Sequence, residues 1–156
     1  MRYDVDLVDL QEQHAAVVRG HVPIDEIPGF LGEAFDEVER VAGEQGVQLA
    51  GSPFGRYRLV GPGLMDAEAG FPVRGTLAAE GRVVPTSLPG GRTARTLHVG
   101  DYSAVGAAYQ ALQDWLAENG YVGDGEPWES YLDVPDKPQP RTEVFFPCHQ
   151  RRPVHA

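Results

Sequence analysis

Glu44-Gln45-Gly46, followed by Pro53-Phe54-Gly55-Arg56-Tyr57, returns later in the chain as Glu118-Asn119-Gly120 and Pro127-Trp128-Glu129-Ser130-Tyr131. The offset is 74 residues throughout. It extends back into the preceding segments, where Phe35, Val38 and Val41 match Tyr109, Leu112 and Trp115. With small gaps, His21-Val22 meets His98-Val99, and Phe71-Pro72 meets Phe146-Pro147. Equal internal spacing of a helix, a glycine, a proline and an aromatic-x-x-Tyr strand points to a duplicated module. The 156 residues therefore read as one domain with pseudo-repeats at about 1–77 and 78–150.

Each repeat reads as strand, helix, strand, strand. Apolar residues spaced by three and four predict a helix over 28–44, from Ile27, Leu31, Ala34, Phe35, Val38, Val41 and Ala42. A second helix is expected over 103–119, with Ser103 helping to cap it and Gly120 ending it. Expected strands cover 3–10, 15–18, 54–60, 71–77, 82–87, 92–99, 128–132 and 141–146, and the tail 149–156 reads as frayed. Gln11–Gln13 is a candidate turn, and Leu88-Pro89-Gly90-Gly91 reads as the tip of a hairpin. The fold class is α+β: duplicated β-α-β-β modules forming a curved antiparallel sheet. Two helices would cover one face, and the other would carry a central ligand groove.

Composition bounds the function. Thirteen Lys and Arg against 23 Asp and Glu give a net charge of −10, which counts against direct nucleic-acid binding and against anionic membranes. There is no apolar run of the roughly 18 residues that a membrane helix needs. Cys148 is the sole cysteine, so no internal disulfide forms, and a reducing cytoplasm is the simplest compartment. The thiol itself reads as inert. No His or carboxylate pair has a metal-ligand spacing, and phosphate-binding, dinucleotide-binding and nucleophile-elbow motifs are missing. No metal and no cofactor are expected.

The second half carries a resemblance. His98-Val99-Gly100-Asp101-Tyr102, the helix ending at Trp115-Leu116, Gly120, Glu126-Pro127-Trp128-Glu129-Ser130-Tyr131, then Arg141-Thr142-Glu143-Val144 and Phe146-Pro147 resemble the GyrI-like family in order and spacing. The resemblance is strongest over 96–148. It implies a bacterial small-molecule-binding domain of the kind that senses drugs behind helix–turn–helix segments, or that stands alone. No helix–turn–helix is legible here, so a standalone binder of a lipophilic, aromatic, cationic molecule is expected, for drug sensing, sequestration or resistance. Two alternatives stay open: a hydrolase of cyclopropane-containing DNA-alkylating metabolites, and a protein-interaction role such as gyrase modulation. The oligomeric state is left between monomer and homodimer.

Glu129 and Tyr131 differ by two and share a strand face, as do Glu143 and Phe145. The family pattern implies that both carboxylates turn toward the groove, with Tyr131, Phe145, Tyr57 and Trp128 as aromatic walls for a cation. In the hydrolase reading, Glu129 is the general base and Tyr131 assists. Each residue also has a purely structural reading, the best for Trp115, Tyr109, His21 and His98. Gly55 stands where the first repeat would need its own Glu129, so the carboxylate chemistry is one-sided.

Overall fold

The computed structural model describes residues 3–133 and 137–151. The strands are β1 (Val5–Leu10), β2 (Gln13–Pro23), β3 (Phe54–Gly61), β4 (Leu64–Pro72), β5 (Val83–Leu88), β6 (Gly91–Val99), β7 (Tyr121–Gly123), β8 (Trp128–Tyr131) and β9 (Arg141–Gln150). The helices are α1 (Ile27–Gln45) and α2 (Gly106–Glu118). All the strand pairs are antiparallel and the fold is α+β. The chain divides into two compact units: Glu12–Pro89 forms one, and the segment ending at Gln11 joins the segment beginning at Gly90 in the other.

In Glu12–Pro89 the strand order is β5-β2-β4-β3. Helix α1 begins with a proline near its first turn, where a missing N–H costs nothing, and ends at Gly46 in the left-handed region at φ 70°. Its three-four stripe buries Ala34, Val38, Val41 and Ala42 against Ala16 and Val18 of β2, Ala69 and Phe71 of β4, and Val83 of β5.

In the other unit the order is β1-β6-β9-β8, with β7 on the far end of β9. Helix α2 buries Ala108, Leu112 and Leu116 against Ala94, Val144 and Cys148. Full burial of Leu112 contributes on the order of 2–3 kcal/mol. A short 3-10 turn, Tyr102–Ala104, precedes the helix. Its cap is Asp101, whose carboxylate accepts the Ser103 N–H at 2.8 Å and also a side-chain bond from Ser103, the residue expected to cap.

Several expectations are corrected by the pairing. The strand expected at 71–77 is β4, which ends at Pro72. The expected range leaves out its first half, where Asp66 and Glu68 interrupt the apolar run. Register sets them opposite Arg58 and Arg56, and ion pairs make the strand tolerable. Gly61-Pro62-Gly63 is accordingly a hairpin tip, with Gly63 at φ 68°. β5 and β6 do not form the expected hairpin: β5 lies on β2, and β6 lies between β1 and β9. Gln13, expected in a turn, is the first residue of β2, and β1 pairs with β6. β9 runs on to Gln150, so His149 and Gln150 belong to a paired strand, held by β7. The rest of the expected frayed tail, 152–156, lies outside the described residues.

Leaving aside the outer strands β1 and β5, both units follow one path: strand, helix, strand, strand, with the last strand seated centrally. Their registers also correspond. Ala16 faces Phe71 as Ala94 faces Phe146, and Gly55 faces Ala69 as Glu129 faces Val144. This register changes one match. The residue of β2 that stands where His98 stands is Gly20, opposite Ala67 as His98 is opposite Thr142. His21 therefore falls on the other face, where it is exposed and bonded to Asp66, while His98 is buried.

Candidate functional site

β8 is short and alternates cleanly. Glu129 lies opposite Val144 and Tyr131 opposite Thr142, so both share the face that carries α2. Trp128 and Ser130 point the other way. Glu129 is 3% exposed, an unusual position for a carboxylate. Its Oε1 accepts hydrogen bonds from the hydroxyls of Tyr102 and, at 3.0 Å, Tyr131. Its Oε2 accepts one from the Tyr109 hydroxyl. The Tyr102 and Tyr131 hydroxyls are themselves 2.9 Å apart, and their rings are tilted with centroids 5.6 Å apart. The tyrosines come from three places: the turn before α2, the first turns of α2, and β8 itself. All three are half-buried.

Electrostatics follow from this setting. Burial pushes the Glu129 carboxyl above its ordinary range, because the charged form is poorly solvated. The three phenols act in the opposite direction by bonding to the anion, and so does His98 at longer range. Glu129 makes no ion pair with Lys or Arg among the described residues. The result is a nearly enclosed acid held by three half-buried tyrosines.

Glu129 and Tyr131 are thus brought together as expected from their spacing. Glu143 is not brought to them. It faces Ser130 on the opposite side of β9 and approaches Arg95 at 3.8 Å. The implied convergence of two carboxylates fails because Glu129 pairs with Val144, and one residue along a strand reverses the side chain. Phe145 and Trp128 share that far side, stacked at 5.0 Å and almost fully buried, which leaves little ring surface for a ligand. Tyr57 stands on β3 in the other unit, opposite Ala67 and half-buried. Glu129 and Tyr131 lie on the helix-bearing face of the sheet.

Tyr102 and Tyr109 were not singled out as site residues. For Tyr109 a signal existed. At the same offset of 74, Gly55 becomes Glu129 and Phe35 becomes Tyr109, an acid and a hydroxyl appearing together where the first repeat has neither. Two polar gains in matching core positions point to a bond between them.

An antiparallel α+β scaffold with a buried acid behind partly accessible aromatic rings has the make-up of a small-molecule-binding domain. The chain belongs to the GyrI-like small-molecule-binding domain family, whose model matches residues 3–149. Among solved structures, the chain is similar to the EcmrR C-terminal domain, with TM-score 0.82 and 22% identity over 96% of this chain and 99% of that one. It is similar to EcmrR in an EcmrR–DNA complex, with TM-score 0.81 and 24% identity over 96% of this chain; it spans 58% of that chain's length. It is also similar to SAV2435 bound to tetraphenylphosphonium, with TM-score 0.59 and 13% identity over 96% of this chain and 94% of that one. A hydrolase from Listeria innocua shares the fold with TM-score 0.64 and 14% identity over 93% of this chain and 91% of that one. No curated protein sequence matches the chain. Among the described residues no helix is long and apolar enough to cross a membrane.

Proposed function

We propose that the chain binds a bulky, lipophilic, aromatic cation at the Glu129–tyrosine cluster, as a drug-sensing or sequestering domain. One observation carries this reading: Glu129 is buried, and its oxygens are bonded to phenols rather than to a basic side chain. A buried carboxylate without a countercharge is costly. A delocalised organic cation supplies that charge and can lie on the exposed parts of the Tyr102, Tyr109 and Tyr131 rings. The tetraphenylphosphonium complex of SAV2435 lends support by showing a ligand of this chemistry on the same fold. Titration calorimetry with tetraphenylphosphonium tests the reading. Wild-type protein is expected to bind, and Glu129→Gln to lose at least about tenfold in affinity, or ~1.4 kcal/mol. Equal binding by a folded Glu129→Gln variant would overturn it.

A second reading rests on the same acid. A carboxyl raised above its ordinary range beside phenol donors suits general acid–base work, as in hydrolytic opening of an activated cyclopropane. Its signature is different: Glu129→Gln would still bind such a substrate but no longer consume it.

A further inference from the structure

His98 is buried, and both of its ring nitrogens are engaged. Nε2 lies 2.9 Å from the Asp101 carbonyl oxygen, which can only accept, so Nε2 carries the hydrogen. Nδ1 lies 2.8 Å from the Tyr3 hydroxyl, which can donate to it when Nε2 alone carries the ring hydrogen. The Asp101 carbonyl also receives the Ala104 N–H at 3.1 Å, and the Asp101 carboxylate receives the Ser103 N–H. Gly100, at φ 120°, donates its own N–H to the Pro140 carbonyl at 2.9 Å. Tyr102 is the next residue, and its hydroxyl ends on Glu129. The sheet repeats the connection from below: His98, Thr142 and Tyr131 form one cross-strand row, and Thr96, Val144 and Glu129 form the next.

We propose that His98 is a positioning residue of the Glu129 site: by holding the Asp101 carbonyl, it fixes the turn that delivers the Tyr102 hydroxyl to Glu129. Tyr3 in turn holds the imidazole in the tautomer that can do this. The proposal deepens the ligand-site reading of Glu129 and rests on it for its functional meaning, though not for its geometry. Loss of the imidazole frees the turn, and Glu129 loses one of the donors that stabilise its anion. The ionisable groups facing Glu129 are Tyr102 from the turn, Tyr109 from α2 and Tyr131 from β8, with His98 on β6 farther off. Those facing His98 are Tyr3, which bonds its ring, and the carboxylates of Asp101 and, farther off, Glu129.

The test reads the Glu129 carboxyl by carbon NMR in protein labelled with carboxyl-13C glutamate, without ligand. Tyr102→Phe is expected to move the titration of Glu129 upward. His98→Leu should move it in the same direction and to a similar extent, and the double variant should go no further than Tyr102→Phe alone. His98→Gln, whose amide can still donate to Asp101, should restore most of the wild-type titration. In parallel, the pH at which tetraphenylphosphonium binding is half lost should rise in step. A folded His98→Leu variant with a wild-type Glu129 titration overturns the proposal, as does full additivity with Tyr102→Phe. Where His98→Leu does not fold, Tyr3→Phe decides: an unmoved Glu129 overturns the proposal, and an upward shift supports it. If the phosphonium fails to bind wild-type protein while the titrations move as expected, the ligand reading falls and the positioning role stands.

Discussion

Position 55 and position 129 occupy the same place in two units built on the same path, and they are finished in opposite ways. In Glu12–Pro89, Gly55 lies against Ala69 on the helix-bearing face. Its partner Ala69 belongs to the apolar layer under α1, where Phe35 meets Phe71 edge-on at 5.6 Å. The acids on the strands of that unit, Asp66 and Glu68, stand on the other face, paired with Arg58, His21, Arg19 and Arg56. In the second unit the acid stands on the helix-bearing face among phenols, and the other face carries the Trp128–Phe145 stack. Of the two helix–sheet layers, one is apolar and the other holds a charge. The difference teaches that the charge is tolerated by a few hydroxyls rather than by a salt bridge. That arrangement is satisfied at rest and still leaves the charge unneutralised.

The comparison can be broken most severely at Gly70, which stands opposite Phe54 where the second unit has Phe145 opposite Trp128. A Cβ there would lie 1.8 Å from the Ala16 carbonyl oxygen. Gly70→Ala should cost ~3 kcal/mol or more in urea unfolding, since backbone must move to admit it. Installing the second acid, Gly55→Glu, should cost about 3 kcal/mol, because a buried carboxylate there meets an apolar helix face. Adding Phe35→Tyr should return about 1 kcal/mol of it by supplying the hydroxyl that Tyr109 provides in the other unit. A double variant no more stable than Gly55→Glu alone would show that the phenol is not what makes the acid tolerable.

Glu129→Gln sharpens the contrast through pH. The folded carboxyl is raised above its unfolded value, so the native state holds the extra proton in between. Wild-type stability therefore falls as pH rises from the ordinary carboxylate range through the folded value, and is level above it. The glutamine variant lacks this loss. Its stability relative to wild type should improve across that window in urea melts run at a series of pH values. The smallest effect is expected at Glu143, half-exposed and 3.8 Å from Arg95. Glu143→Gln should change stability by no more than about 0.5 kcal/mol and phosphonium affinity by less than about twofold. A loss as large as that of Glu129→Gln would return Glu143 to the site.

Much of the fold was legible because its signals are local. The stripes of α1 and α2, the stops at Gly46 and Gly120, and the repeated Pro-aromatic-x-x-Tyr are set by neighbours a few residues apart. Strand partners were not legible. The expected range misses the first half of β4, whose acids meet Arg56 and Arg58 only through pairing, and β1 and β5 pair with strands far along the chain. At the site, spacing placed Glu129 with Tyr131 because alternation along one strand is a local rule. Whether Glu143 joins them depends on the offset between β8 and β9, which no single strand contains.

The sequence by itself determined an acidic α+β chain, the family it belongs to and the acid that distinguishes its second half. These follow from periodicity and from residue types at fixed spacing. Tertiary structure alone decided that Glu129 is buried among Tyr102, Tyr109 and Tyr131, and that Glu143 and Phe145 turn away. It also decided that His98, and not His21, lies beneath the turn that carries Tyr102. Those outcomes depend on register between distant strands, where a slip of one residue exchanges the faces of the sheet.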